Sequence, residues 1–154
     1  MADAAAIADI YNQAVLHSTA TFDTQPRSTE EREGWLTCRG TAHPVLVAEA
    51  DGRVVGWASL SPWSDRPAYA RTAEVSVYVD ESARGSGVGA ALMAALLERA
   101  RDVGVHALLA RVCTENDVSL RLSERFGFGH VGVMREVGEK FGRLLDVAVL
   151  ELLL

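Results

Sequence analysis

Apolar positions recur along this chain in two rhythms, and their order sketches the elements. Ile7, Ile10, Tyr11, Ala14 and Val15 return every three to four residues behind Asp3, which predicts an N-capped amphipathic helix running to about Leu16. Ser18 to Ser28 breaks that stripe with threonines and Pro26 and reads as a loop; Thr29, Glu30, Glu31 and Arg32 then open a second helix through Trp35 and Leu36. A loop this long inside a compact domain tends to carry function, and Phe22 stands in its middle.

Val45 to Ala50, Asp51-Gly52, and Arg53 to Leu60 spell a β-hairpin, since Asp-Gly supplies the positive φ of a tight turn. After a connector holding Pro62, Arg66 and Pro67, Thr72 to Asp80 alternates with period two. Val75, Val77 and Val79 point one way and Glu74, Ser76 and Tyr78 the other, so one face is core and the other meets something polar. Glu81 to Gly89 is a glycine-rich turn, and Ala90 to Arg101 continues as a helix burying Leu92, Met93, Leu96, Leu97 and Ala100. Val105 to Val112 reads as a buried strand and Asn116 to Phe126 as a helix; two strands, roughly Phe128 to Val137 and Leu144 to Leu152, follow, joined through Gly138 to Gly142.

Composition narrows the picture. With 154 residues, 49% of them apolar, and no linker or repeat, the chain is expected to form one domain over residues 1–154 without help from disulfides or metals. A formal charge of −6 argues against a general nucleic-acid binder, so any anion site is local. The apolar runs are too short for a membrane span, and Asp3 and Asp9 stand where a secretory signal would be positive and apolar, which predicts a cytoplasmic protein. Cys38 and Cys113 lie far apart and read as buried free thiols, and His17, His43, His106 and His130 have no ligand spacing, so no metal is expected.

The chemistry concentrates in Arg84-Gly85-Ser86-Gly87-Val88-Gly89, between a strand and a helix. Glycines there let main-chain N–H groups approach an anion, and the helix start adds partial positive charge, the logic of a pyrophosphate cradle. A nucleoside-triphosphate loop would end in Gly-Lys-Ser/Thr, but Gly89 is followed by Ala90-Ala91 and Lys140 is the only lysine. A dinucleotide fold would place its glycines after the first strand, whereas this loop follows a hairpin in mid-chain.

Arg84, Gly87 and Gly89, after the strand Glu74 to Val79, match the Arg/Gln-x-x-Gly-x-Gly/Ala pattern of the GNAT superfamily of N-acetyltransferases. Asn116-Asp-Val-Ser119-Leu and Glu124-Arg-Phe-Gly127-Phe128 resemble its second hallmark. Within it the chain is similar to the phosphinothricin and methionine sulfone/sulfoximine N-acetyltransferases, through Ile10 to Val15, Ala20 to Thr24 with Pro26-Arg27, Ala73 to Val79, and Val137 to Gly142 leading to Asp146-Val147. The resemblance implies an α/β (α+β) GNAT fold: a mixed, mostly antiparallel central sheet of about six strands, splayed near the Glu74 strand, with helices on both faces. It also implies acetyl-CoA as co-substrate, its pantetheine arm aligned by Val77, Tyr78 and Val79. Backbone amides of Arg84, Gly85, Ser86, Gly87, Val88, Gly89 and Ala90 would hold the pyrophosphate, with Asn116 and Ser119 assisting. Asn116 reads equally well as a helix N-cap.

An ammonium cannot attack a thioester until a proton leaves, and Glu74 is the expected general base, directly or through one water. Ser123 falls where relatives carry the tyrosine or histidine that acts as acid, leaving water or Tyr78 for that part. A backbone N–H near Tyr78 would stabilise the oxyanion. Phe22 and Tyr78 are expected to wall the substrate pocket, and Arg71, with Arg66, to pair with a substrate carboxylate or sulfone oxygen. Lys140 is placed on the loop between the last two strands, which in relatives approaches a neighbouring subunit, implying a homodimer with a shared site in which Lys140 meets the substrate; Leu144 replaces a tryptophan common there. Relatives open with a short strand before the first helix, and here Met1 falls almost at the helix start: either that strand is absent or the chain begins late. Two rival readings are a non-catalytic acyl-CoA sensor and an enzyme for peptide or protein N-terminal amines.

Overall fold

A computed structural model describes residues 3–154, and the elements follow the hydrophobic rhythm closely. The stretch before Asp3, where the opening strand of relatives would begin, lies outside the described residues. Helix α1 spans Ala4–His17 and buries Ile7, Ile10, Tyr11, Ala14 and Val15. Asp3 precedes it without a side-chain cap bond, because its backbone is already helical at φ −94° and ψ −7° and a capping residue needs extended geometry. Helix α2, Thr29–Thr37, has the cap its neighbour lacks: Ser28 is extended and forms a reciprocal box with Glu31.

Strands β1 (Val45–Ala50) and β2 (Arg53–Pro62) form the hairpin, with Asp51 at φ 50° and Gly52 at φ 74° in the turn. Then come β3 (Thr72–Val79), helix α3 (Val88–Asp102), β4 (Ala107–Cys113), helix α4 (Asp117–Arg125), β5 (Gly129–Lys140) and β6 (Arg143–Leu153). The last two strands are longer than the sequence suggests, and their connection is only Phe141 and Gly142, both at positive φ. Lys140 therefore ends a strand instead of riding a loop.

The six strands make one sheet in the order β1-β2-β3-β4-β6-β5, antiparallel everywhere except between β3 and β4. Alternation along each strand divides the core in two. Ala58, Leu60, Val75, Leu108, Ala110 and Leu150 pack with α3, while Trp57 and Tyr78 meet α1 and Trp35 on the other face. The side of β3 expected to be polar is thus polar only at Glu74 and Ser76; at Tyr78 it becomes an aromatic cluster, the ring stacked on Trp57 at 4.7 Å and edge-on to Tyr11 at 5.1 Å. Of the two cysteines, Cys113 is buried as expected, but Cys38, at the end of α2, is exposed.

The feature that positions the site is a parting of the sheet. β3 and β4 pair only over Thr72–Glu74 with Ala107–Leu109, and then diverge. Thr72 O accepts from Trp63 N and Asp80 N donates to Val55 O, so even-numbered residues of β3 direct their backbone toward β2; Arg71 O, accepting from His106 and Ala107, faces β4. Alternation then turns the N–H and C=O groups of Val75, Val77 and Val79 into the gap, where no ladder partner meets them among the described residues.

Candidate active site

Two cavities meet in that gap. The inner one, about 360 Å³, lies under the loop Thr19 to Phe22 and reaches Glu74, Ser76, Arg111, Cys113 and Ser123. The outer one, about 890 Å³, runs past Val79 to the glycine turn, with Arg84, Arg121, Arg125 and Arg143 on its walls. Thr19, Ala20, Val77, Tyr78, Asn116, Ser119 and Leu122 line both, so the two are one continuous channel through the parted sheet.

At the outer end the chain offers main-chain donors. Gly87 takes φ 89°, the left-handed region, and serves as N-cap of α3 without a side chain to occupy the first turn. Ala91 N already donates to Gly87 O, leaving the N–H groups of Val88, Gly89 and Ala90 free of intrahelical partners at the positive end of a fifteen-residue helix. Gly89 packs close to α4 and β3, 3.6 Å separating the place of a Cβ from both Leu122 and Val79. A diphosphate suits these donors, and the arginines around them supply positive charge that the whole chain, at −6, does not. Arg121 and Arg125 lie one turn apart on α4, a spacing visible in the sequence but unused by the reading above.

The roof of the inner end is held down by side chains. Lys140, buried, donates all three ammonium protons to backbone carbonyls, of Ala14 at 3.3 Å and of Ser18 and Thr21 at 2.7 Å. Burial lowers its pKa, with the Asp23 charge acting in the opposite direction. Tyr11 donates to Asp23 and lies 2.8 Å from the Thr21 hydroxyl, while Arg27 forks onto the same Asp23 carboxylate. Burial alone would raise the Asp23 pKa, but the Tyr11 and Arg27 hydrogen bonds outweigh it and hold the group below its ordinary value. Phe22 packs an edge of its ring against Gly138, so close that a Cβ there would stand 2.2 Å from two ring carbons.

Glu74, the expected base, projects into the inner cavity with its side chain 19% exposed. It is not solitary. Arg111 of β4 places Nε 2.7 Å from one carboxylate oxygen and a terminal nitrogen 2.7 Å from the other, a bidentate pair without a local signature, because 37 positions separate the partners. The Glu74 carboxylate, through that hydrogen bond and its charge, raises the Arg111 pKa.

Several expected residues sit elsewhere or act otherwise. Arg71 lies outside both cavities, its Nε spent on the Gly104 carbonyl, and Arg66 likewise lines neither. Lys140 anchors the roof and does not face the channel. Ser86 is turned from the outer cavity, its hydroxyl hydrogen-bonded to Ala83 O. Tyr78 borders the channel, yet burial pushes its hydroxyl far above the ordinary value, which makes it a poor proton donor to a thiolate. Ser123 donates to Ser119 O within α4, and Asn116 caps that helix by accepting from Ser119 N while still lining both cavities. Phe22, Glu74, Val77, Val79, Arg84, Gly85, Gly87, Val88, Gly89, Ala90, Asn116 and Ser119 do gather along the one channel.

Known proteins resemble this chain over most of its length. The family model described as "Acetyltransferase (GNAT) family" matches residues 7–128. The chain is 40% identical over 152 residues to the "L-methionine sulfoximine/L-methionine sulfone acetyltransferase" of Salmonella typhimurium, covering 98% of this chain and 89% of the relative. It is 40% identical over 146 residues to the "Phosphinothricin N-acetyltransferase" of Streptomyces coelicolor, covering 92% and 85%. The solved structure of "yncA, a putative ACETYLTRANSFERASE from Salmonella typhimurium with its cofactor Acetyl-CoA" superposes with a TM-score of 0.96 at 39% identity, over 99% of this chain and 88% of that one.

Proposed function

The chain belongs to the GNAT acetyltransferase family, and on that premise we propose that it acetylates the α-amine of small amino acids of the methionine sulfone, methionine sulfoximine or phosphinothricin kind. It is an acetyl-CoA-dependent N-acetyltransferase, and acetyl-CoA supplies the acyl group as an activated thioester. The observation that carries the substrate reading is the single channel, with main-chain anion donors at one end and Glu74 in a small roofed cavity at the other. An inner space of about 360 Å³ suits an amino acid better than a length of polypeptide.

In this reading the amides of Val88, Gly89 and Ala90 bind the coenzyme diphosphate, with Gly85, Gly87 and Arg84 beside them, and the gap-facing groups of Val77 and Val79 pair with the pantetheine arm as an added strand would. Asn116 and Ser119 border the arm where the cavities meet. Glu74 takes the proton from the substrate ammonium, and the main-chain donor for the developing oxyanion comes from Val77 or Val79; Tyr78, whose own N–H is directed at β2, serves as a wall. Phe22 closes the roof over the substrate. The proton for the departing thiolate comes through water, since Ser123 is committed within its helix.

The enzyme works in the cytoplasm as a homodimer. Exposed Val131, Val133, Met134 and Val137 along β5, with Phe141 and Leu144 at its turn, support self-association, and the exposed thiol of Cys38 fits a reducing compartment. No helix among the described residues is long and apolar enough to cross a membrane. Thiol release from acetyl-CoA, measured against methionine sulfone, methionine sulfoximine, phosphinothricin and a few N-terminal peptides, tests the substrate class. Turnover confined to peptides would overturn it, and binding without turnover of any amine would make the chain a sensor.

A further inference from the structure

Arg111 is the only cationic side chain among the described residues lining the inner cavity, and both of its hydrogen-bonded nitrogens are spent on Glu74. The guanidinium also lies 5.7 Å from the Trp63 ring centroid, a second hold that fixes its plane without consuming donors. It is half exposed where its partner is mostly covered, 49% against 19%, so a ligand entering the cavity meets the cation. A carboxylate engaged on both oxygens is poorly placed to take a proton from an amine.

An α-amino acid brings the two charges this pair lacks partners for once it is opened: a carboxylate that fits a guanidinium fork and an ammonium that fits a carboxylate. We propose that the Glu74–Arg111 pair is a substrate-opened latch, in which the substrate carboxylate takes over the Arg111 fork and its ammonium takes over Glu74. One ion pair is exchanged for two, and the base is released only when a carboxylate-bearing amine is in place. This rests on the amino-acid reading of the site and moves the carboxylate-binding role from Arg71, outside the cavity, to Arg111.

The proton and electron balance then closes. The ammonium gives one proton to Glu74; the nitrogen lone pair forms the bond to the acyl carbon as the carbon–sulfur bond breaks and its electrons leave on sulfur. The nitrogen's second proton passes through water to the thiolate, and Glu74 returns its own to solvent. The amide product carries no cation for Glu74, so the ionised carboxylate competes again for Arg111 and favours release of the N-acetyl product.

The test compares methionine sulfone with the amine left when its carboxylate is removed, in the wild type, Arg111→Met, Arg111→Lys and Glu74→Gln, with acetyl-CoA affinity by calorimetry as the measure of an intact fold. The wild type is expected to favour the amino acid by about 100-fold in kcat/KM, and Arg111→Met to reduce that preference to a few-fold, mostly through KM; Arg111→Lys recovers part of it. Glu74→Gln both frees Arg111 for the incoming carboxylate and removes the partner of the substrate ammonium, so it is expected to leave KM within a few-fold of the wild type while kcat falls, a split that loss of structure does not produce. Retention of the full preference in Arg111→Met with unchanged acetyl-CoA affinity overturns the latch and leaves the amino-acid reading standing. A wild type that releases no thiol with any amino acid takes both down.

Discussion

The two ends of the channel are built from different material. At the proposed coenzyme end the free donors are main-chain amides of consecutive residues, Val88 to Ala90, made available by a left-handed glycine and the start of α3. At the substrate end the work falls to side chains from distant parts of the chain: Glu74 with Arg111 across the parted strands, and Lys140 reaching back to Ser18 and Thr21. A main-chain site binds a feature common to a whole class of ligands, and a side-chain site can be retuned one residue at a time without disturbing it. The division predicts that substitutions at one end leave the other end's affinity intact.

The largest effect is expected from Glu74→Gln, which keeps shape and removes the proposed base. Turnover should drop about 10²- to 10⁴-fold while calorimetric affinity for acetyl-CoA stays within error of the wild type. A parallel loss of coenzyme affinity would break the division between the ends. Gly87→Ala is the converse experiment. No atom lies within 4 Å of the added Cβ, so the cost is conformational, about 1–2 kcal/mol for a non-glycine residue at φ 89°. Relaxing that strain reorients the first-turn amides, and acetyl-CoA affinity should fall about tenfold with kcat at saturation nearly unchanged.

The same division decides what the sequence could tell. The glycine turn at the outer end was legible because six adjacent residues, Arg84 to Gly89, carry its pattern, and the sheet and helices because hydrophobic period depends only on near neighbours. The parting of β3 from β4 was legible only through family resemblance, since nothing in Val75 to Val79 says that its ladder stops at Glu74. The substrate end was half legible. Glu74 stood out as the one carboxylate on the polar side of an alternating strand, but Arg111 reads as one arginine in a buried-strand pattern, and the separation of 37 positions carries no signal of pairing. Lys140 was placed on a loop for the same reason: a lone lysine beside a glycine turn carries no sign of the three carbonyls that α1 and the loop after it supply.

Lys140→Met sharpens the comparison at the roof. Removing the ammonium leaves the Ser18 and Thr21 carbonyls without their donor, which should cost about 1–3 kcal/mol and lower the Tm by a few degrees. Because Thr21 and Phe22 of the roof line only the inner cavity, the KM for the amine should rise more than that for acetyl-CoA. Equal increases would mean that the roof serves both ends alike.

The smallest expected effect is one of pH and comes from Asp23, which ties the same roof to Tyr11 and Arg27. Folding lowers its pKa from the ordinary 3.8, so the folded protein favours the ionised form more than the unfolded chain does. The stabilisation is complete above that ordinary value and drains away as the pH falls through the lowered one. Asp23→Asn lacks the titrating group, so its Tm at neutral pH should sit about 1–2 °C under the wild type, and the gap should close on acidification. Thermal melts of the two proteins in a series of buffers from neutral pH to below 3.8 measure it. A gap that stays constant throughout would mean that the carboxylate charge contributes nothing to holding the roof.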